Sequence, residues 1–226
     1  MTYNGQLTRL GGAIFALGGL CTLVGSALHP TGGSSDYHAS IAAQLAKPIG
    51  TPAAWLTLVG SLLICWAMWA LLDSAWHDSP PLVRLGARLA IIGGVLLTVE
   101  SAATLAMRTA AAPYAAGTPV PMVRFSEVLY AGCLPALMLG ALLINLGSPR
   151  LAPRAVRVIG AIGMVALGLA GPLVDGTHDI ALWPLYLGGV LTCVWIIWAG
   201  VRQATLGAGM GTEASASTAG TPALAE

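Results

Sequence analysis

Six apolar runs, at approximately 9–28, 54–72, 84–107, 125–146, 155–174 and 180–201, dominate the sequence. A helix needs roughly 20 mainly apolar residues to cross a hydrocarbon core about 30 Å thick, and each run is close to that length or longer. Inside a bilayer only helices and closed barrels satisfy their own backbone hydrogen bonds, and continuous runs of this kind belong to helices. The expected fold is therefore all-α, a polytopic membrane protein with six transmembrane helices over residues 1–202. Composition agrees: 56% of the residues are hydrophobic and 8% charged, against about 25% charged in soluble domains. The stretch 203–226 lacks periodicity, is rich in Gly, Ala, Ser and Thr, and reads as a disordered tail. Gly25, Ser26 and Ala27 offer a signal-cleavage pattern, but the first run exceeds the roughly 7–15-residue core of a signal peptide and reads as a span.

Orientation follows from the basic residues. Arg9, Arg84, Arg88, Arg150, Arg154, Arg157 and Arg202 flank one side of the spans, against Lys47, Arg108 and Arg124 on the other. The positive-inside rule then puts both termini in the cytoplasm of a multi-pass protein. Trp55 and Trp183 fall at the outer interface, and Trp76 and Trp198 near the inner one, where amphipathic indoles concentrate. Nine arginines to one lysine, with abundant Ala, Gly, Leu and Val, match the bias of GC-rich bacterial genomes and favour a bacterial cell membrane. The net charge is +1 and the cations are scattered, which points away from nucleic acid as a partner. Cys21, Cys65, Cys133 and Cys193 form no C-x-x-C and read as small apolar packing residues.

The odd-numbered spans share a pattern. Each opens with Arg9, Arg84 or Arg157, and the pairs Gly18-Gly19 and Gly93-Gly94 follow at equal offsets from the first two. Cys65-Trp66 and Cys193, and the "LYAG" from Leu129 and "LYLG" from Leu185, echo one another in the even spans. Three copies of a helical hairpin would account for both sets; the alternative is chance likeness among apolar, Gly-rich stretches drawn from few residue types. Gly86, Ala90 and Gly94, and Gly132, Ala136 and Gly140, place a small residue at every fourth position and predict seams where helices approach closely. Pro135 falls mid-span and predicts a kink, whereas Pro172 and Pro184 fall near span ends.

The unusual polar residues gather on the predicted outer side. Glu100 lies roughly 21 Å into its span at 1.5 Å per residue, too deep to be solvated. An ionisable residue at the centre of a span costs about 2.5–3.5 kcal/mol on insertion scales and faces a bundle interior or a wet cavity. A low-dielectric setting favours neutral carboxylic acids, the form that donates a proton. Glu100 is thus either a catalytic acid or an interhelical tie. Thr104 and Arg108, at i+4 and i+8, extend its face outward as an entry path. Arg124 and Glu127 are spaced for a surface ion pair. The loop "DGTHD" sets Asp175 and His178 beside Asp179, a helix N-cap candidate. Asp175 and His178, with His29 or His38, carry ligand atoms, but no metal-binding helix motif fixes them, and neither a metal nor another cofactor is expected. His29, followed by Pro30, also reads as a helix terminator.

Three functional classes fit these residues. In the first, a membrane-embedded enzyme meets a hydrophobic isoprenoid or lipid substrate with Glu100, Asp175 and His178 as catalytic groups. Tyr130, Tyr186 and Trp183 then supply aromatic faces for a developing cation, and Arg108, Glu127 and His29 complete the substrate site. In size, helical build and use of buried acids this resembles the small bacterial integral-membrane terpene cyclases, a resemblance of general plan that implies a prenyl substrate and a cyclisation or isomerisation. In the second, Gly- and Pro-interrupted helices with an intramembrane acid serve a proton-coupled transporter or channel, which with six short spans would need a homo-oligomer. A non-catalytic accessory or sensor protein, binding through the outer loop 29–53, is the third alternative.

Overall fold

The computed structural model describes residues 3–30 and 33–219. Helix α1 (Tyr3–Leu28) is followed by a short helix α2 (Tyr37–Ala46), then by α3 (Gly50–Asp73) and α4 (Pro81–Met107). A five-residue α5 (Ala111–Ala115) continues α4 through a single turn, and α6 (Pro121–Gly147) and α7 (Arg154–Ala170) come next. A π-turn over Gly171–Asp175 and a 3₁₀ segment over Ile180–Leu187 lead into α8 (Gly188–Ala219). Among the described residues, six stretches are long and apolar enough to cross a membrane: Asn4–Leu28, Gly50–Asp73, Pro81–Ala115, Pro121–Gly147, Arg154–Asp175 and Ile180–Leu206. The chain is an all-α, multi-pass membrane protein, and the six predicted runs sit inside these six spans. Helix α8 runs on to Ala219, into the stretch whose composition predicts no regular structure, and residues 220–226 lie outside the described residues.

The spans close into a ring in chain order, α1 against α3, α3 against α4, α4 against α6, α6 against α7, α7 against α8, and α8 back on α1. Leu17, Ile92, Leu139, Ile162 and Val201 point outward, each at least half exposed or nearly so. Such an apolar exterior fits lipid, which solvates it as well as a protein core would. Glu100, Ser101, Ser126, Glu127 and Thr192 are buried inside the ring. Trp198 stays 48% exposed, but Trp76 is only 2% exposed and packs in the core, so it is no interfacial anchor: it follows the end of α3 and folds back beneath the ring.

Small residues set the helix spacing. A Cβ on Gly140 of α6 would lie 2.4 Å from the Ala90 nitrogen and 2.5 Å from the Gly86 carbonyl of α4. The predicted seam Gly86, Ala90, Gly140 therefore forms, with backbones in contact. Gly132 does not belong to it, because nothing lies within 4 Å of its Cβ position, and it faces outward. Gly132→Ala should leave thermal stability in detergent unchanged or raise it by up to about 1 kcal/mol, through helix propensity alone; tryptophan-monitored melting checks this. The paired glycines behave alike in two of the spans. Gly18 meets Ile64 and the Gly60 carbonyl of α3 while Gly19 meets Ile196 of α8; Gly93 meets Leu137 of α6 while Gly94 meets Cys65 of α3. In both cases the first glycine faces the next helix of the ring and the second faces the preceding one.

Pro135 lies inside α6, which continues through it. Pro172 and Pro184 have larger effects than their places near span ends predict. The first sits in the π-turn, whose Gly176 amide donates to the Gly171 carbonyl, and the second sits within the eight-residue 3₁₀ segment.

Candidate functional site

The ring encloses a cavity of about 450 Å³ at the end where α2 lies. Its deeper wall is aliphatic, with Ile64, Leu97, Leu134, Leu137 and Ile196. Beyond that wall the ring is filled by Phe15, Met68, Leu71 and Trp195, each at most 1% exposed. Phe15 and Trp195 meet edge to face with ring centres 6.3 Å apart. The cavity is therefore blind at the end where α1 begins.

Glu100 projects into this space from α4 and is 7% exposed. Thr104 Oγ1, one turn along, donates to Glu100 Oε1 at 2.7 Å, and Ser126 Oγ of α6 donates to the same oxygen at 2.7 Å. Both hydroxyls converge on one oxygen, and Oε2 carries no hydrogen bond among the described residues. No ion pair to Glu100 forms among them either; the two carboxylate pairs found both involve Glu127. The interhelical tie expected of a buried acid is present, through Ser126, and still leaves one oxygen for other chemistry.

Asp175 is held differently. The π-turn adds a residue to the end of α7 and brings Asp175 to the cavity wall. Tyr37 OH of α2 donates to Asp175 Oδ1 at 2.9 Å, and Tyr186 OH of the 3₁₀ segment donates to Oδ2. Both oxygens are thus engaged by phenols. Burial, reinforced by the Asp175 charge, pushes the Tyr37 phenol well above its ordinary range, so it remains a donor. Tyr130 of α6 lies against Tyr186, with ring centres 5.9 Å apart.

His178 occupies the left-handed region at φ 60°, a conformation that costs a non-glycine residue on the order of 1–3 kcal/mol and collects at functional sites. Its ring stacks on Tyr37 at 4.4 Å, and its Nε2 is 3.7 Å from Glu127 Oε2. Arg124 Nη1 donates to that oxygen at 3.0 Å. The expected i, i+3 pair forms, although its Glu127 end is buried and lines the cavity. His38 Nδ1 lies 2.8 Å from Tyr114 OH. Among the described residues no group of three or more His, Cys, Asp or Glu could hold a metal, and all four cysteines are free.

Arg108 lines the cavity but is turned to its rim. Its Nε donates to Thr51 Oγ1 at 2.9 Å and its Nη2 to the Lys47 carbonyl, so it clamps the α2–α3 junction. The predicted stripe on α4 splits there: Thr104 stays with Glu100 and Arg108 leaves it. His29 and Trp183 line the mouth. The protein packed around His29, with the Arg108 charge nearby, holds its imidazole below the ordinary range, against a backbone hydrogen bond at Pro30 that favours the charged form. Asp179 caps the 3₁₀ segment, accepting from the Ala181 amide at 2.9 Å, as its position after Gly176 implies.

Neither apolar run length nor an isolated charge marks α2, Tyr37 or Ser126 in the sequence. Asp36 caps α2 by accepting from the Ala39 amide at 2.7 Å, and Tyr37, Ser40, Gln44 and Leu45 bury its inner face. Tyr37→Phe should release this helix. A hydrogen bond to a charged acceptor is worth about 1.5–3 kcal/mol, so amide exchange over residues 37–46 should accelerate while α3 and α4 stay protected. Hydrogen–deuterium exchange on nanodisc-embedded protein reads this directly.

The fold and this site define a six-span membrane protein whose helix ring encloses a blind cavity, with an aliphatic floor and carboxyl and phenol groups toward its mouth. Comparison with protein-family models, with curated proteins and with solved structures finds no match.

Proposed function

We propose that the protein is a membrane-embedded enzyme that uses the Glu100 carboxylic acid on a hydrophobic isoprenoid or lipid substrate, in a cyclisation or isomerisation. The observation that carries this reading is the asymmetric Glu100 carboxyl, with Oε1 fixed by Thr104 and Ser126 and Oε2 free at the wall of an apolar cavity. A proton on Oε2 passes to an alkene carbon, whose π pair forms the new C–H bond and leaves a cation on the neighbouring carbon. The Tyr130 and Tyr186 faces stabilise that cation, and an aliphatic floor offers it no water. Loss of a proton back to the Glu100 carboxylate regenerates the acid and closes an atom-balanced isomerisation. Asp175, with both oxygens held by phenols, acts as a counter-charge and a latch for α2. His178 positions Tyr37 by stacking.

A channel would need a continuous path, and the packed half of the ring argues against one. Both termini are assigned to the cytoplasm, on the arginine distribution, which opens the cavity toward the outer leaflet. The test is turnover in heavy water: membranes holding the full chain, given a prenylated lipid extract in D₂O, should yield isomers of an input lipid carrying a carbon-bound deuterium. Proton-linked uptake of solute by proteoliposomes, with no deuterated product, would replace the enzyme with a carrier.

A further inference from the structure

On one side of the cavity, α1 and the 3₁₀ segment make little contact with each other. At the end where α1 begins, α1 and α8 touch backbone to backbone, where a Cβ on Gly12 would lie 2.4 Å from the Ala204 nitrogen and 2.7 Å from the Gly200 carbonyl. Two turns further along α1, contact has passed to side chains, with Ile196 Cγ2 2.7 Å from the Cβ position of Gly19. This antiparallel register brings Ser26 of α1 level with the first turn of α8. There the 3₁₀ segment packs on α7 and the π-turn and makes little contact with α1. Ser26, Leu187 and Val190 line the cavity and are also exposed, Leu187 at 67% and Val190 at 38%. Cavity-lining residues this exposed, on two neighbouring elements with little contact between them, point to a gap in the wall there. Ser26 lies two residues from Leu28, the end of its span, and Leu187 seven residues from Ile180, the start of its own, about 14 Å at roughly 2.0 Å per residue in a 3₁₀ helix, so the gap runs from the outer end of the spans down toward the acyl chains.

The charges facing the cavity restrict what can enter. Glu100, Glu127 and Asp175 line it, and the one arginine or lysine among the described lining residues, Arg108, is committed to Thr51 and the Lys47 carbonyl. An anionic headgroup would meet three carboxyl groups and no unengaged guanidinium, and burying an unpaired charge is costly. A hydroxyl, carbonyl or epoxide oxygen instead meets the Glu100 acid and the Tyr130 phenol, which lines the cavity without donating to another described residue. We infer that an uncharged, single-chain amphiphilic lipid enters sideways from the bilayer between α1 and the 3₁₀ segment, with its chain against the aliphatic floor and its polar end near Glu100 and Tyr130. The inference rests on the cavity being the substrate site proposed above, and it adds the route and the headgroup class.

The test uses the full chain in phosphatidylcholine nanodiscs and two photoreactive probes, a diazirine-bearing prenyl alcohol and its monophosphate, with adducts mapped by mass spectrometry. The alcohol should label cavity-lining peptides of α4 and α8 in a saturable manner, and the phosphate about tenfold less. Ser26→Trp, a substitution at an exposed position in the gap, should cut alcohol labelling about fivefold, since an indole fills an opening the width of a chain. Leu187→Ala should speed it, and Val95→Trp on the lipid face of α4 should leave it unchanged. Equal labelling by the phosphate, or labelling indifferent to both Ser26→Trp and Leu187→Ala, overturns the inference. Binding is read without turnover, so labelling that follows this pattern beside a negative D₂O assay would remove the enzyme and keep the portal.

Discussion

Glu100→Gln should lower turnover of the prenylated lipid by about 10²- to 10⁴-fold, the range that a positioned proton donor contributes, and leave the fold intact. The amide oxygen still accepts from Thr104 and Ser126, which converge on a single carboxyl oxygen in the native protein. What the variant loses is the proton on the other oxygen, which an amide N–H cannot deliver to an alkene. Expression and melting temperature should therefore stay near wild type, with the loss confined to kcat. Asp175→Asn provides the contrast. An asparagine offers one oxygen and one NH₂ where two phenols now donate to a carboxylate, so one phenol must turn from donor to acceptor and both contacts lose their charged acceptor. That variant should raise amide exchange in α2 and weaken substrate retention, which Glu100→Gln should not do. If Glu100→Gln turns over normally, the acid is a helix tie and the proposed chemistry is wrong.

The parts of this architecture that were readable in the sequence are those that depend on the solvent. Lipid demands about 20 apolar residues per span and forbids unpaired backbone, so six runs imply six helices. Their ends extend beyond the runs because the terminal turns are polar, as with Tyr3 to Thr8 of α1. Helix α2 escaped for the opposite reason. Its inward residues 37, 40, 41, 44 and 45 follow the i, i+3, i+4, i+7, i+8 pattern of an amphipathic helix, but three of them are Tyr, Ser and Gln, so hydrophobicity does not reveal it. The Asp36 cap is the legible signal. Glu100 could be singled out because a lone acid in a greasy run has few innocent explanations. Ser126 could not, since a serine in a membrane helix most often bonds to its own backbone, as Thr22 and Thr192 do here. The π-turn that carries Asp175 depends on how Gly171 packs, its Cβ position lying 2.6 Å from the Tyr130 carbonyl. That is a tertiary contact which no local pattern encodes.

Gly140→Leu should be the most disruptive single substitution for the fold, and it tests whether the site depends on a seam far from it. Gly140 and Ser126 are fourteen positions apart on α6, roughly 21 Å at 1.5 Å per residue. The atoms a side chain at Gly140 would meet are the Ala90 nitrogen and Gly86 carbonyl of α4, at 2.4 and 2.5 Å. These are backbone atoms and cannot move aside as a flexible side chain could, so α4 and α6 must separate. Overpacking a core costs typically 1–3 kcal/mol, and a clash against rigid backbone should reach about 3 kcal/mol or more. Because α4 carries Glu100 and α6 carries Ser126, splaying the pair lengthens the 2.7 Å hydrogen bond that fixes the carboxyl. Gly140→Leu should therefore lower the melting temperature in detergent and reduce turnover together. Gly132→Leu, on the same helix but with nothing within 4 Å of its Cβ position, should do neither. Tryptophan-monitored melting and the D₂O assay on both variants decide it: equal behaviour would mean that the seam does not hold the site, and that the α4–α6 approach is only one of several packings lipid allows.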